Sequence, residues 1–342
     1  MNRFVKARSA IILFALLIVS VLLLGLYVVN DVTHGVNEGA GERVRVSIAR
    51  GTPFAAAVQE LQKQGLIRRA WTLTFFAQAT GADRKMHRGT YEFVRGSRPV
   101  DMLRALVKGD ILTVRVTIPE GFTMWQVASA FQAAGIDSQA TLAAIRDPEL
   151  IRSFQVPGET LEGYLYPDTY LVPFGSVAGD VVAQMLTRFH AVWTPEFDAR
   201  AREISMTRHE VVTLASIIEA EARVPAERPL VSAVYHNRLM IGMKLDADPT
   251  VAYAKGGYHG RLYYKDLDVD SPYNTYRHPG LPPGPIGNPG VDSIRAALYP
   301  DETCRALYFV ARGDGHHEFS VTLREHEAAV RRARAATNGG SK

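Results

Sequence analysis

The chemistry-bearing residues of greatest interest lie in Val211-Val212-Thr213-Leu214-Ala215-Ser216-Ile217-Ile218-Glu219-Ala220-Glu221-Ala222. The apolar run predicts a helix that ends by presenting carboxylates where Ile and Ala have thinned the water. Thr207 and Glu210 supply a T-x-x-E capping box at its start, and Pro225 predicts its end. A carboxyl group in that setting resists ionisation, because desolvation disfavours the charged form. An acid still protonated near neutral pH can donate a proton in catalysis. A shift of about two pKa units corresponds to roughly 2.7 kcal/mol. The plainer reading is a helix-end glutamate paired with Arg223, and the helix alone does not choose between them. On helical spacing Glu219 shares its face with Ala215, Ser216, Ala222 and Arg223, whose mostly small side chains leave room for a ligand. Glu221 falls beside Ile217 and Ile218, which would crowd it, so spacing leans towards Glu219.

The elements that must carry this helix begin with Ala10 to Val29, which contains no charge and no proline. At about 1.5 Å per residue it spans roughly 30 Å, the hydrocarbon thickness of a bilayer. Arg3, Lys6 and Arg8 precede it while Asp31 and Glu38 follow. The positive-inside bias therefore keeps the short N-terminus in the cytoplasm and sends the rest across. A cleaved signal peptide would have a shorter apolar core ending in small residues. This one runs into Leu26-Tyr27-Val28-Val29, so an uncleaved, single-pass anchor in the cytoplasmic (inner) membrane is expected. The rest of the chain, extracytoplasmic or periplasmic, is long enough for two or three units. Cys304 is the single cysteine, which excludes an internal disulfide and a Cys-based metal site. A net charge of +4 with interspersed signs gives no case for nucleic acid. His316, His317 and His326 lack an H-x-x-x-H helix or a clustered carboxylate, so neither a metal nor another cofactor is expected.

Residues 31–44, rich in Gly, Asn and Glu, read as a linker off the membrane. An internal repeat follows. Val46-Ser47-Ile48-Ala49-Arg50-Gly51-Thr52 leads to Gln62, Gly65 and Leu66, and Val116-Thr117-Ile118-Pro119-Glu120-Gly121-Phe122 leads to Gln132, Gly135 and Ile136. Each copy is a short strand, a Gly turn and an amphipathic helix ending at a Gly cap. The stripes are Phe54, Val58, Leu61 and Trp125, Ala128, Phe131. The first copy resembles a LysM-type module, and such modules bind N-acetylglucosamine-containing glycans.

Beyond residue 150 the composition changes. Leu161 to Tyr170 sets Glu162 and Asp168 among aromatic and β-branched residues, a strand-and-turn pattern. Helices are expected at 179–193, 196–203 and about 228–240, with Pro229 in the first turn of the last. From Leu245 the chain reads as a polar-aromatic loop containing Asp246, Asp248, Asn274 and six tyrosines within 253–276. Tyrosine with Asn and Asp matches the C–H faces and hydroxyl edges of sugars. Its balanced charges offer no groove for single-stranded nucleic acid. In Gly280-Leu281-Pro282-Pro283-Gly284-Pro285-Ile286-Gly287-Asn288-Pro289-Gly290 the prolines remove the N–H groups that a phosphate loop needs. A rigid cleft wall is the better reading.

Leu214-Ala215-Ser216-Ile217-Ile218-Glu219, Asn237-Arg238-Leu239 with Gly242-Met243, Asp248-Pro249-Thr250, Tyr273-Asn274-Thr275-Tyr276 and Gly280-Leu281-Pro282-Pro283-Gly284, in this order, resemble the endolytic murein transglycosylase (YceG-like) family. The resemblance implies that Glu219 is the catalytic residue. It would protonate the oxygen between N-acetylmuramic acid and N-acetylglucosamine. It would then take the proton of the muramic C6 hydroxyl as that oxygen closes a 1,6-anhydro ring. Glu162, Asp168, Asp248, Asn274 and Tyr276 are the expected substrate-binding groups of the cleft. The expected partners are peptidoglycan glycan strands and the membrane, with peptidoglycan synthases as candidate protein partners. A hydrolytic muramidase using a second carboxylate and a non-catalytic glycan-binding scaffold are the rival readings. The expected fold is α+β: a cytoplasmic N-terminus at 1–9, a transmembrane anchor at 10–30 and the linker at 31–44. A LysM-like domain follows at 45–112, a second βα repeat or connector at 113–150, and a mixed α+β catalytic domain at 151–342.

Overall fold

Asn2–Thr33 forms one helix, α1, whose apolar side chains from Ile11 to Val29 mostly face outwards. Its stretch Ile11–Thr33 is long and apolar enough to cross a membrane. The computed structural model describes residues 2–36, 41–257 and 262–339. Residues 37–40 of the expected linker, Tyr258 of the tyrosine-rich stretch and residues 340–342 of the expected catalytic domain lie outside the described residues. The chain is mixed α and β and divides into two units, Met1–Val114 with Pro173–Gly175 and Arg115–Val172 with Ser176–Lys342.

In the first unit, β1 (Arg43–Ile48) and β2 (Gly89–Val94) pair antiparallel, from Arg43 opposite Val94 to Ile48 opposite Gly89. Between them in sequence lie α2 (Phe54–Lys63) and α3 (Ala70–Thr80), and α4 (Pro99–Lys108) follows. Strand alternation turns Val46, Ile48, Tyr91 and Phe93 inwards and leaves Arg43 and Arg45 outside, paired with Glu92. Val58 and Leu61 of the expected stripe are fully buried and Phe54 partly so, packed with Leu73, Ala77, Met102 and Leu106. Gly65 follows α2 at φ +68°, a left-handed backbone suited to glycine. The end of α1 joins this core through Val28 and Val32, spaced one turn apart. The helix thus continues into the stretch read as linker, where Asp31 is also buried.

The second unit starts within β3 (Thr113–Thr117), continues through α5 (Met124–Phe131), α6 (Ser138–Ile145) and α7 (Pro148–Ser153), and reaches β4 (Thr169–Pro173), which pairs with β3. The second strand–turn–helix copy is present, with Thr123 and Gln126 forming a capping box on α5. Helices α8 (Ala178–Val192), α9 (Pro195–Glu203), α10 (Arg208–Glu221) and α11 (Arg228–Met240) fall at the expected positions, with Pro229 in the first turn of α11. Next come α12 (Asp248–Ala254), α13 (Val291–Leu298), the antiparallel pair β5 (Tyr308–Ala311) and β6 (His317–Ser320), and α14 (Leu323–Gly339). Helix α12 was not expected. Its signal is Asp248-Pro249, a first-turn proline after an extended residue, masked by the loop-like residues around it.

Helix α10 is the centre of this unit. The Thr207–Glu210 capping box is formed in both directions, and Val211 to Ile218 are all buried. A helix apolar on every side must be enclosed, and α13 supplies the main partner, with α11, α12 and α9 around it. The Gly-Pro loop of 280–290 presses on its base, where the Ile286 N–H donates to the Ser216 hydroxyl at 3.0 Å. Gly287 is required sterically, since an added Cβ would lie 2.8 Å from the Gly121 carbonyl oxygen. Gly287→Ala should therefore destabilise the protein by about 1–3 kcal/mol, seen as a lower denaturation midpoint. An unchanged midpoint would mean that the loop is not held against Gly121.

Candidate active site

Residues two apart on a helix point about 200° apart, so the two glutamates ending α10 serve different surroundings. Glu219, 8% exposed at its side chain, accepts from Arg228 Nη2 at 3.0 Å on Oε1 and from the Gly290 N–H at 3.0 Å on Oε2. Its cationic partner is Arg228, at the start of α11, rather than Arg223. Both oxygens are already engaged as acceptors. Glu120 also lies within 3.7 Å of Arg228, and Asp292 within 3.9 Å. Burial, then Glu219, pushes the Glu120 carboxyl up, with Arg228 opposing. Sequence reading passed over Glu120 because Pro119-Glu120-Gly121 looked like a turn and nothing more.

Glu221 faces a cavity of about 500 Å³. Its polar walls are Tyr235, Arg238, Asp246, Asp248 and Tyr276, and Leu245, Tyr308, Phe309 and Leu323 supply apolar and aromatic surface. The Tyr235 hydroxyl donates to Glu221 Oε1 at 3.3 Å. Burial, reinforced by the Asp248 charge, pushes the Glu221 carboxyl up to about 7, while Tyr235 and Arg238 oppose the shift. Arg238 is itself fixed, donating to the Leu307 carbonyl at 2.6 Å and the Leu245 carbonyl at 2.7 Å. Asp246 occupies a left-handed backbone, φ +47°, unusual for a residue with a Cβ and strained by about 1–3 kcal/mol. Val310, Ala311 and His317 also line the cavity, and so does His326. His326 stacks on Tyr308 with ring centroids 5.2 Å apart, and its Nδ1 is buried without a hydrogen-bond partner.

The residues expected to bind substrate divide three ways. Asp248 and Tyr276 line the Glu221 cavity, joined by a 2.7 Å hydrogen bond from the tyrosine hydroxyl. Glu162 and Asn274 are buried internal braces. Glu162 accepts from the Met124 N–H at 2.9 Å, Asn288 Nδ2 at 2.9 Å and the Tyr253 hydroxyl at 3.3 Å, and burial pushes it up to about 7. Asn274 donates to the Leu267 and Val269 carbonyls and accepts from the Tyr276 N–H, which shapes the loop bearing Tyr276. Asp168 is a half-buried partner of Arg188 at 2.7 Å, and that hydrogen bond holds its carboxyl below the ordinary range. None of the five touches Glu219 in the hydrogen-bond and ion-pair geometry. Among the described residues, no group of three or more His, Cys, Asp or Glu side chains is placed to hold a metal ion.

Comparison with known proteins adds an independent line. The endolytic murein transglycosylase of Bacillus subtilis (strain 168) is 32% identical over 305 residues, covering 84% of this chain and 83% of that one. The endolytic murein transglycosylase of Streptococcus pneumoniae serotype 2 (strain D39) is 29% identical over 297 residues, covering 76% of this chain and 53% of that protein. The crystal structure of a yceG-like protein from Listeria monocytogenes superposes with a TM-score of 0.59 at 32% identity, covering 84% of this chain and 98% of that one. The model of the YceG-like family matches residues 46–332, nearly everything beyond α1. The chain belongs to the YceG-like family.

Proposed function

We propose that this protein is a membrane-anchored lyase, an endolytic peptidoglycan transglycosylase that cuts glycan strands internally beside the bilayer, and that Glu221 is its proton donor. The carrying observation is the Glu221 cavity: a carboxyl pushed up to about 7 by burial, set among sugar-sized polar and aromatic walls. At neutral pH such a group is divided between its acid and base forms, as a residue needs to be that first gives and then takes a proton. Glu221 protonates the oxygen bridging N-acetylmuramic acid to N-acetylglucosamine. The C6 hydroxyl of the muramic residue attacks C1 and surrenders its proton to the Glu221 carboxylate. The bridging C–O bond breaks, a 1,6-anhydro ring closes, and no water is consumed. Asp248, held by Tyr276, raises the affinity of Glu221 for its proton, and Arg238 tempers it.

Two other readings have specific support. Glu219 is the donor if the reaction occurs on the opposite face of α10, where Arg228 and the Gly290 N–H orient it. Hydrolysis by a muramidase is favoured by Asp246 and Asp248, which share the Glu221 cavity and would supply the second carboxylate of such a reaction. The α1 helix is read as an uncleaved anchor, because Val28, Asp31 and Val32 belong to the packed first unit and cleavage beyond them would strip its core. The β1–α2–α3–β2 order with its antiparallel pair is read as LysM-like, a candidate glycan-binding unit.

Digestion of isolated glycan strands, with product masses, separates these readings. Wild type should give 1,6-anhydro ends, one water lighter than reducing ends; reducing ends would establish the muramidase. Glu221→Gln should slow cleavage by at least about 100-fold while still binding glycan, and Glu219→Gln should retain cleavage. The reverse pattern moves the role to Glu219, and undiminished cleavage by both variants removes both. The pH profile follows from the sign of the Glu221 shift. The acid form is lost as pH rises through about 7, so cleavage should decline there. A rate that holds through pH 8 would contradict this assignment.

A further inference from the structure

The first unit exposes an aromatic ridge where α1 ends. Trp71 and Phe75, one turn apart on α3, are 48% and 50% exposed, although both are large and apolar. Their helix is tied to α1 by polar and aromatic contacts. Arg69 Nη1 donates to Asp31 Oδ1 at 3.1 Å and the Thr72 hydroxyl donates to Asp31 Oδ2 at 2.6 Å, with Asp31 buried. Trp71 stacks on Tyr27 with ring centroids 6.0 Å apart and planes 9° from parallel, and the Arg69 guanidinium lies 5.4 Å from the centroid of the same tyrosine.

These contacts fix the depth of Trp71 relative to α1. A hydrocarbon layer about 30 Å thick, entered at Ile11, ends near Asp31, which places Tyr27 about 6 Å inside that boundary. Trp71, stacked on Tyr27, must share that level. Tryptophan and tyrosine favour this zone, where the ring meets acyl chains and the N–H or hydroxyl meets headgroups. Arg68, exposed beside the ridge, brings a positive charge to the same edge. We propose that the Trp71–Phe75 ridge of α3 inserts into the outer boundary of the bilayer, so that the first unit is seated on the lipid surface by two elements rather than one. The ridge is continuous with the apolar end of the span, and lipid is the occupant that this continuity selects. The inference rests on α1 crossing the membrane.

The full-length chain, reconstituted into phosphatidylcholine vesicles with and without bromine on the acyl chains near the headgroup, tests this. Brominated lipid quenches tryptophan on contact. Of the three tryptophans, Trp193 is buried and Trp125 partly so. Wild-type emission should fall in brominated vesicles, and Trp71→Phe should remove most of that fall. Flotation of the same vesicles separates the two possible failures. If the protein does not float with lipid, the anchor reading fails. If it floats and the quenching is absent, or is as strong in Trp71→Phe as in wild type, α1 is embedded and the ridge proposal is overturned, whether water or another protein covers Trp71.

Discussion

The hydrogen bond between the buried side chains of Asn288 and Glu162 is the contact on which the second unit depends. Asn288 is fully buried and spends its whole amide: Nδ2 donates to Glu162 and to the Phe122 carbonyl, and Oδ1 accepts from the Leu165 N–H. Glu162 in turn holds the Met124 N–H in the first turn of α5. Three stretches far apart in sequence, near 122, 163 and 288, are thereby locked together at the base of α10. A buried polar group is tolerable only when its partners are all present. The cluster is therefore strongly cooperative, and it fixes the loop whose Gly290 N–H reaches Glu219.

Helix α10 uses that fixed base to present two carboxyl groups to two environments. Their backbones are alike, and what separates them is what each face meets. One meets an arginine and a backbone N–H, the other a cavity where burial and a neighbouring aspartate make the proton hard to remove. A single helix thus carries one glutamate paired with an arginine and another facing a cavity two residues on, with the enclosed stretch from Val211 to Ile218 keeping both in place.

Much of this framework was legible from local patterns. The capping box at Thr207, the four helices from α8 to α11, the Val58–Leu61 stripe and the long apolar start all follow from periodicity and end signals. The site was less legible, for physical reasons. Spacing sets Glu221 beside Ile217 and Ile218, yet both isoleucines turn into the core, and the far side of Glu221 opens onto walls contributed by residues 235 to 326, which makes it a second candidate beside Glu219. No helical pattern reports on partners so distant. Sequence alone also does not report that Glu162 and Asn274 are buried and hydrogen-bonded within the fold, because an internal brace and a binding group use the same side chains. Glu120 was missed because its significance comes from Arg228, more than a hundred residues away.

The packing of Val28, Asp31 and Val32 into the first unit also bears on what a cut near the end of α1 would do. A protease cutting just beyond these residues would free a fragment with a hole in its core and with Arg69 and Thr72 stripped of their acidic partner. Such a cut would thus yield a damaged first unit, and a preparation that keeps this unit whole must retain the final turns of α1.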